Sequence, residues 1–226
     1  MNDPTRLPDG VSTVTTGPFR DFPYPDVTKM IMEFEDFHRY TAAEWTVTET
    51  DAGATEALAA GLGGWLLITN TAADDDRVNM QTVRREYQMT KGKKTFFEAR
   101  FKVSDALQSD VIFGLIITDT TPTGFTDGIS MYKRDGETTV ALFTAKDSVV
   151  QTTGALGTVV TDTFQKWSFY YDGKDLHFYI DGLKKGTILA AGIPDDELLQ
   201  PTIFIQNGEA VAKTLTVDYY LVAQER

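Results

Sequence analysis

The chain has 226 residues, 42% of them hydrophobic, and carries a formal net charge of −12 at pH 7. This length and apolar content fit a single domain with a substantial core. The negative charge would repel a phosphate backbone, and no lysine and arginine cluster offsets it, so we expect no nucleic-acid partner. Because the chain has no cysteine, disulfides and thiolate metal sites are excluded.

The sequence shows no signal for secretion or for insertion into a membrane. The start "MNDPTRLPDG" lacks the basic and apolar regions of a secretion signal, and no run approaches the roughly 20 apolar residues that span a bilayer. We therefore expect a protein that is made in the cytoplasm and has no membrane partner.

Prolines are concentrated at the start of the chain, where five of the eight lie in the first 25 residues. Proline fixes φ and removes a backbone donor, so we predict an extended arm over residues 1–28 and a folded domain over 29–226. An arm of this composition should be mobile and protease-sensitive until it docks. Its large side chains Phe19, Phe22 and Tyr24 are the candidate anchors, because they could recover the cost of ordering it on a partner.

After about residue 28 the sequence consists of short runs rich in Val, Ile, Thr, Phe and Tyr, separated by Gly, Asp, Asn and Pro. This pattern is typical of many short strands. No helical period lasts the roughly 10 to 12 residues that a crossover helix needs, so an all-β, two-sheet antiparallel sandwich is favoured over βαβ units. The minor helical candidates are "TEALAAG" (55–61) and "PDDELLQ" (194–200), of a turn or two each.

Three stretches predict long strands with defined faces. In "FFEARFKV" (96–103), apolar residues alternate with charged ones, which predicts one core face and one wet face. "VIFGLIIT" (111–118) is apolar on both faces and should be central. "KTLTVDYYLV" (213–222) predicts the last long strand, in which Tyr219 and Leu221 share the face of the preceding apolar residues.

The stretch "WSFYYDGKDLHFYIDG" (167–182) contains two Asp-Gly turn signals and predicts a β-hairpin. A two-residue turn would place Phe169 opposite Leu176, whereas a four-residue loop would place it opposite Phe178; the facing of every residue is the same in both. The predicted core face consists of Trp167, Phe169, Tyr171, Leu176, Phe178 and Ile180.

The opposite face of this hairpin bears Tyr170, His177 and Tyr179 and is the candidate ligand surface. Aromatic rings stack on the apolar faces of sugars, and their polar tips add hydrogen bonds. The alternative is that these residues cover the outer sheet or contact a neighbouring subunit.

The tryptophan-led strand and "YDGKDLHFYIDG", with "FFEARFKV" about 70 residues earlier, resemble the concanavalin A-like lectin/glucanase jelly roll, which includes laminin-G-like modules. The resemblance covers roughly residues 30–226. "GGWLLITN" (63–70) and the terminal "LTVDYYLVAQER" are similar to jelly-roll proteins among the virion structural proteins of tailed bacteriophages. This second resemblance implies a head or tail surface component assembled in the host cytoplasm.

Glycoside hydrolases of this fold carry an E-x-D-x-x-E type cluster on one strand, because a retaining mechanism needs two carboxylates about 5 to 5.5 Å apart. The nearest stretch here is "EFEDF" (33–37), where Glu33 and Glu35 share a face about 6.6 Å apart if extended, and the third carboxylate is missing. We interpret these residues as a solvated strand edge. The only histidines, His38 and His177, lie in no catalytic motif, so we predict that the protein is not an enzyme.

The loop "ADDDRVN" (73–79) offers three carboxylates and an asparagine, the oxygen ligands that suit Ca²⁺. Its spacing matches no EF-hand, and adjacent aspartates are ordinary turn chemistry. We interpret it as a plain loop and predict no metal and no cofactor.

Two functions remain open. The first is a non-enzymatic virion structural protein, a capsid decoration or stabilising subunit that docks through its arm on the major capsid protein or another virion protein, with self-association as a homo-oligomer also expected. The second is a lectin-like module that recognises surface glycans. The arm discriminates between them, because a sugar-binding module does not need 28 extended residues.

Overall fold

The computed structural model describes residues 29–189 and 192–226, so the predicted arm and its anchors Phe19, Phe22 and Tyr24 lie outside the described residues. Within the described ranges the chain forms fifteen strands. In chain order they are β1 (Met30–Glu35), β2 (Trp45–Glu49), β3 (Thr55–Ala59), β4 (Trp65–Thr69), β5 (Arg77–Thr82), β6 (Thr95–Val103), β7 (Ser109–Ile116), β8 (Gly128–Lys133), β9 (Thr139–Lys146), β10 (Val149–Thr158), β11 (Gln165–Tyr171), β12 (Leu176–Ile180), β13 (Leu183–Ile188), β14 (Gln200–Asn207) and β15 (Thr214–Glu225).

The strands form two antiparallel sheets that pack face to face, which confirms the predicted all-β sandwich. The eight-stranded sheet has the order β13-β12-β11-β6-β15-β4-β3, and β1 pairs with the C-terminal half of β15. The seven-stranded sheet has the order β10-β9-β8-β7-β14-β5-β2. The described helical residues form two short 3-10 helices, Ala42–Glu44 and Pro122–Gly124. No helix in the described ranges has the length and apolar character that crossing a membrane requires.

The core lies between the sheets and is held by aromatic packing from β6, β7 and β11. Phe101 and Phe113 stack with their ring centroids 4.3 Å apart, and the Trp167 ring meets Phe101 edge-on at 4.5 Å. All three side chains are almost completely buried. Offset and edge-on geometries are the favourable arrangements of aromatic rings, so this contact ties the two sheets together.

The hairpin of β11 and β12 has the four-residue loop, because Phe169 pairs with Phe178 and Tyr171 with Leu176. Its six predicted core residues are all buried in the main core. Gly173 sits in the loop with φ +96°, and a Cβ there would lie 2.8 Å from the backbone of Gly92. Only glycine fits this position without strain.

Three expectations about helices and strands are wrong. Residues 194–200 form no helical turn, because Leu199 pairs with Tyr87 as an isolated β-bridge and β14 begins at Gln200. Residues 55–59 form the edge strand β3 rather than a helical turn, because they pair with β4 along its whole length. In β15 a register shift between Val217 and Tyr219 reverses the facing of the strand. Tyr220 and Val222 therefore enter the core, while Leu221 turns outward.

Candidate functional site

Glu33 and Glu35 on β1 turn toward the inside of the sandwich, so the solvated-edge interpretation is wrong. They pair with Val222 and Tyr220 of β15 and are half-buried, whereas the intervening Phe34 is 57% exposed. The inward facing of Glu33 is stabilised by hydrogen bonds, because the buried hydroxyl groups of Tyr87 and Tyr220 donate to its carboxylate.

Glu33 is the acceptor for those two phenols. The hydroxyl of Tyr87 donates to Glu33 Oε2 at 3.0 Å, and the hydroxyl of Tyr220 donates a short hydrogen bond to Glu33 Oε1. Burial, and then the charge of Glu33, raises the pKa of both tyrosines, so both remain protonated donors. Each oxygen of Glu33 thus has a fixed partner, which holds the carboxylate in one orientation.

Glu35 has a different environment. Its Oε1 accepts a hydrogen bond from the backbone N–H of Phe37 at 2.8 Å. Burial raises its pKa, and the neighbouring charges of Asp36 and Glu44 add to that effect. Burial therefore makes Glu35 easier to protonate than an exposed glutamate.

These carboxylates line a cavity of about 260 Å³ at one end of the sandwich, which we call the acidic cavity. Trp45 and Tyr220 pack edge-on at 5.8 Å beside it, and the guanidinium of Arg84 at its rim lies 3.4 Å from Glu86. The lining consists of Glu33, Glu35, Ala43, Glu44, Trp45, Thr82, Val83, Arg84 and Tyr220. The cavity can accept hydrogen bonds from a small polar ligand.

Among the described residues, one group has the spacing of metal ligands: Glu35, Asp36 and His38, whose ligand atoms lie within 4.8 Å of one another. His38 Nδ1 and Asp36 Oδ1 are 2.6 Å apart, and this contact lowers the pKa of Asp36. Asp36 and His38 thus pair with each other at the surface, and no further feature of this group points to a bound ion.

The carboxylates of Asp75 and Asp76, in the loop at residues 73–79, accept hydrogen bonds from neighbouring segments of the chain. Asp76 is buried and accepts hydrogen bonds from Thr71 N–H at 2.6 Å and from Thr50 Oγ1 at 2.9 Å. Asp75 Oδ1 accepts a hydrogen bond from the side chain of Gln206 at 2.8 Å. The carboxylates point to separate protein donors, as turn chemistry predicts.

The predicted ligand face of the hairpin offers less surface than its sequence suggests. Tyr170 is only 6% exposed and packs with Phe96, while Tyr179 is half-buried beside them. His177 Nε2 lies 3.0 Å from Asp172 Oδ2, and its Nδ1 lies 3.1 Å from Thr187 Oγ1. A ligand on this face would meet chiefly His177 and Tyr179.

The loop of residues 117–127 covers part of the outer face of the seven-stranded sheet, which looks away from the other sheet. Ile117 and Phe125 of this covering loop belong to an apolar cluster on that face. The amide of Gln81 donates to Ile117 O at 3.1 Å and accepts from Asp119 N at 2.9 Å. The other members of the cluster are Ile112, Ile116, Tyr132, Phe143, Ala145 and Phe204.

A smaller hollow of about 110 Å³ lies beside the covering loop, and we call it the aromatic recess. The guanidinium carbon of Arg134 lies 4.9 Å from the ring centroid of Phe143 and 5.3 Å from that of Tyr132. The Tyr132 hydroxyl donates to Asp110 at 2.8 Å. The recess is lined by Thr123, Gly124, Phe125, Tyr132, Arg134, Phe143 and Val150. No sequence motif marks it, because strand register alone brings Tyr132 and Phe143 together.

Comparison with known proteins identifies the fold. No protein-family model matches the sequence, and no curated protein matches it significantly. Among solved structures, the chain is similar to a Bacillus licheniformis β-glucanase (15% identity, TM-score 0.62, covering 86% of this chain and 98% of that one) and to the potassium-bound carbohydrate recognition domain of Emp46p (11%, 0.58, 83% and 93%). It is also similar to the Shewanella oneidensis protein SO2946, of unknown function (12%, 0.61, 87% and 87%). The chain therefore has the concanavalin A-like jelly-roll fold, which in these neighbours occurs in a hydrolase and in a carbohydrate recognition domain.

Proposed function

We propose that this chain is a non-enzymatic structural protein of a tailed-bacteriophage particle, a capsid decoration or stabilising subunit held by residues 1–28. A role in the virion is supported by two stretches, "GGWLLITN" (63–70) and the terminal "LTVDYYLVAQER", which resemble phage structural proteins. The arm contributes the means of attachment, with Phe19, Phe22 and Tyr24 as anchors.

The observation that carries the non-enzymatic part is the covering loop. An enzyme that cleaves a polymer needs an open groove in which the chain can lie. Here Ile117 and Phe125 of the protein itself occupy part of the outer face of the seven-stranded sheet, and Gln81 fixes the loop there. Function depends on the site and not on the fold, so likeness to a glucanase does not transfer its activity.

The acidic cavity gives additional support. A retaining glycosidase needs a carboxylate that is free to attack and a second one that donates a proton. Here Glu33 accepts hydrogen bonds from Tyr87 and Tyr220, and "EFEDF" (33–37) lacks the third carboxylate of the E-x-D-x-x-E type cluster.

Mass spectrometry of purified particles tests the proposal. We expect peptides of this chain to remain with the particles through a density gradient, at a fixed ratio to the major capsid protein. Their loss from intact particles, while host proteins used as markers are equally depleted, would contradict a structural role.

The aromatic recess favours a second candidate, glycan binding. Phe143 is partly exposed and offers ring surface, and Arg134 beside it offers donors, the combination that holds a sugar with its apolar face against a ring. A glycan array would test it, followed by Phe143→Ala with His177→Ala as the matched variant on the hairpin face. Loss of binding in Phe143→Ala alone supports the recess, loss in His177→Ala alone supports the hairpin face, and no bound glycan contradicts the candidate.

A further inference from the structure

The free edges of the two sheets differ in how they are protected. Five described strands have a partner on one side only: β1, β2, β3, β10 and β13. An exposed edge presents unpaired backbone groups to any strand that approaches, and proteins commonly block such edges with charges, proline or a covering segment.

Four of these edge strands contain charged residues, and the fifth contains none. The charged residues are Glu33 and Glu35 in β1, Glu49 in β2, Glu56 in β3, and Lys184 and Lys185 in β13. β10, with the sequence "VVQTTGALGT", has neither a charged residue nor a proline in its ten residues. In a chain of which 24% is charged, β10 is the one edge strand among those described that has no charged residue, and its second half packs against β13 through Leu156 and Gly186.

The first half of β10 is regular and accessible. Residues Val149 to Thr153 pair one by one with β9, and the register shifts only after Thr153. Val149 is 65% exposed and Val150 is 55% exposed. The segment therefore has the geometry that a further strand requires.

We propose that this edge pairs with β10 of a second copy of the chain, in an antiparallel arrangement about a two-fold axis. Two molecules that each carry a charge of −12 repel one another, so close approach is favoured where both surfaces are uncharged. A two-fold pairing that uses all five regular residues places Gln151 opposite its own copy and Val150 opposite Thr152. The seven-stranded sheets of two molecules would then become continuous.

The interface formed by one strand pair is small, so the dimer in solution is weak and is best observed at high protein concentration. On a particle surface, where copies are held close together, the effective concentration would favour it. Pairing through β10 does not require that setting, because the edge is present in the single domain.

The register permits a charge-swap experiment on the full-length chain. Val150→Lys with Thr152→Lys places like charges opposite each other in the dimer, and Val150→Glu with Thr152→Glu does the same with acids. An equimolar mixture of the two double variants restores opposite charges at every contact. Thr55→Lys with Ala57→Lys, at exposed positions of β3, is the matched control.

Sedimentation equilibrium over a range of concentrations provides the measurement. We expect reversible dimerisation of the wild type and of the β3 control, at least about tenfold weaker association of each β10 double variant alone, and recovery in the mixture. A wild type that stays monomeric throughout would overturn the proposal. So would a dimer that the β10 variants leave unchanged, or one that the mixture fails to restore.

Discussion

Lys133, in β8, is a completely buried lysine whose titration tests the packing of β8 against the beginning of β7. Its Nζ donates hydrogen bonds to Ser109 O, to Leu107 O at 3.2 Å and to Ser109 Oγ at 3.4 Å. All three acceptors are neutral. Burial therefore dominates over the more distant charges of Asp110 and Asp135, and it lowers the pKa of Lys133 from 10.5 to about 8.

The lowered pKa of Lys133 determines how the free energy of unfolding changes with pH. Below pH 8 the folded protein must hold a buried ammonium group, whereas the unfolded chain solvates it. As pH rises from 8 toward 10.5 the folded state loses this penalty before the unfolded state loses its proton, so the free energy of unfolding increases. Proton linkage for these two pKa values gives an increase of about 1.3 kcal/mol between pH 7 and pH 9.

Lys133→Met removes the titrating group and retains most of the side-chain volume. Urea unfolding of wild type and variant at pH 7, 8 and 9 measures the effect, because groups present in both proteins cancel in the difference. We expect the wild type to gain about 1.3 kcal/mol relative to the variant between pH 7 and 9. Lys91→Met, at an exposed position, should leave the pH dependence unchanged. Parallel curves for wild type and Lys133→Met would refute the reasoning.

Metal, glucan and cavity chemistry provide three further tests. Thermal melts in EDTA and in calcium should superimpose, because Asp76 already accepts protein hydrogen bonds; a calcium-dependent rise of several degrees would revive a metal site in that loop. Laminarin and lichenan should not be hydrolysed, and turnover that disappears in Glu33→Gln or Glu35→Gln would contradict this expectation. Tyr220→Phe removes one of two donors to Glu33 and should lower the free energy of unfolding by about 1.5 to 3 kcal/mol in urea titrations; no measurable loss would count against the hydrogen bond.

Much of the fold could be predicted because side chains in a strand alternate strictly. The residues of the β11–β12 hairpin face the core as predicted, whichever loop joins them, since both loops preserve the facing. The reversal in β15 could not be predicted, because neither glycine nor proline marks the shift between Val217 and Tyr219. Asp218, at that point, forms a short ion pair with Arg100 of β6, a contact visible only once the two strands are paired.

The site was harder to predict because it depends on distant residues. Alternation places Met30, Met32 and Phe34 on one face of β1, which is more apolar than the face that bears Glu33 and Glu35. Hydrophobicity alone therefore predicts that Phe34 faces the core. The phenols of Tyr87 and Tyr220, far away in the chain, supply the donors that make the opposite facing stable for Glu33. The aromatic recess likewise depends on the β8–β9 register and on where the covering loop settles.

The central claim is attachment to a particle through residues 1–28, and co-sedimentation tests it most directly. Full-length protein and a variant that lacks residues 1–28 would each be spun with shells from which this protein is missing. We predict that the full-length chain sediments with the shells, whereas the truncated chain stays in the supernatant with a nearly unchanged melting temperature. Equal binding by both proteins would contradict the claim and would move the attachment surface onto the sandwich.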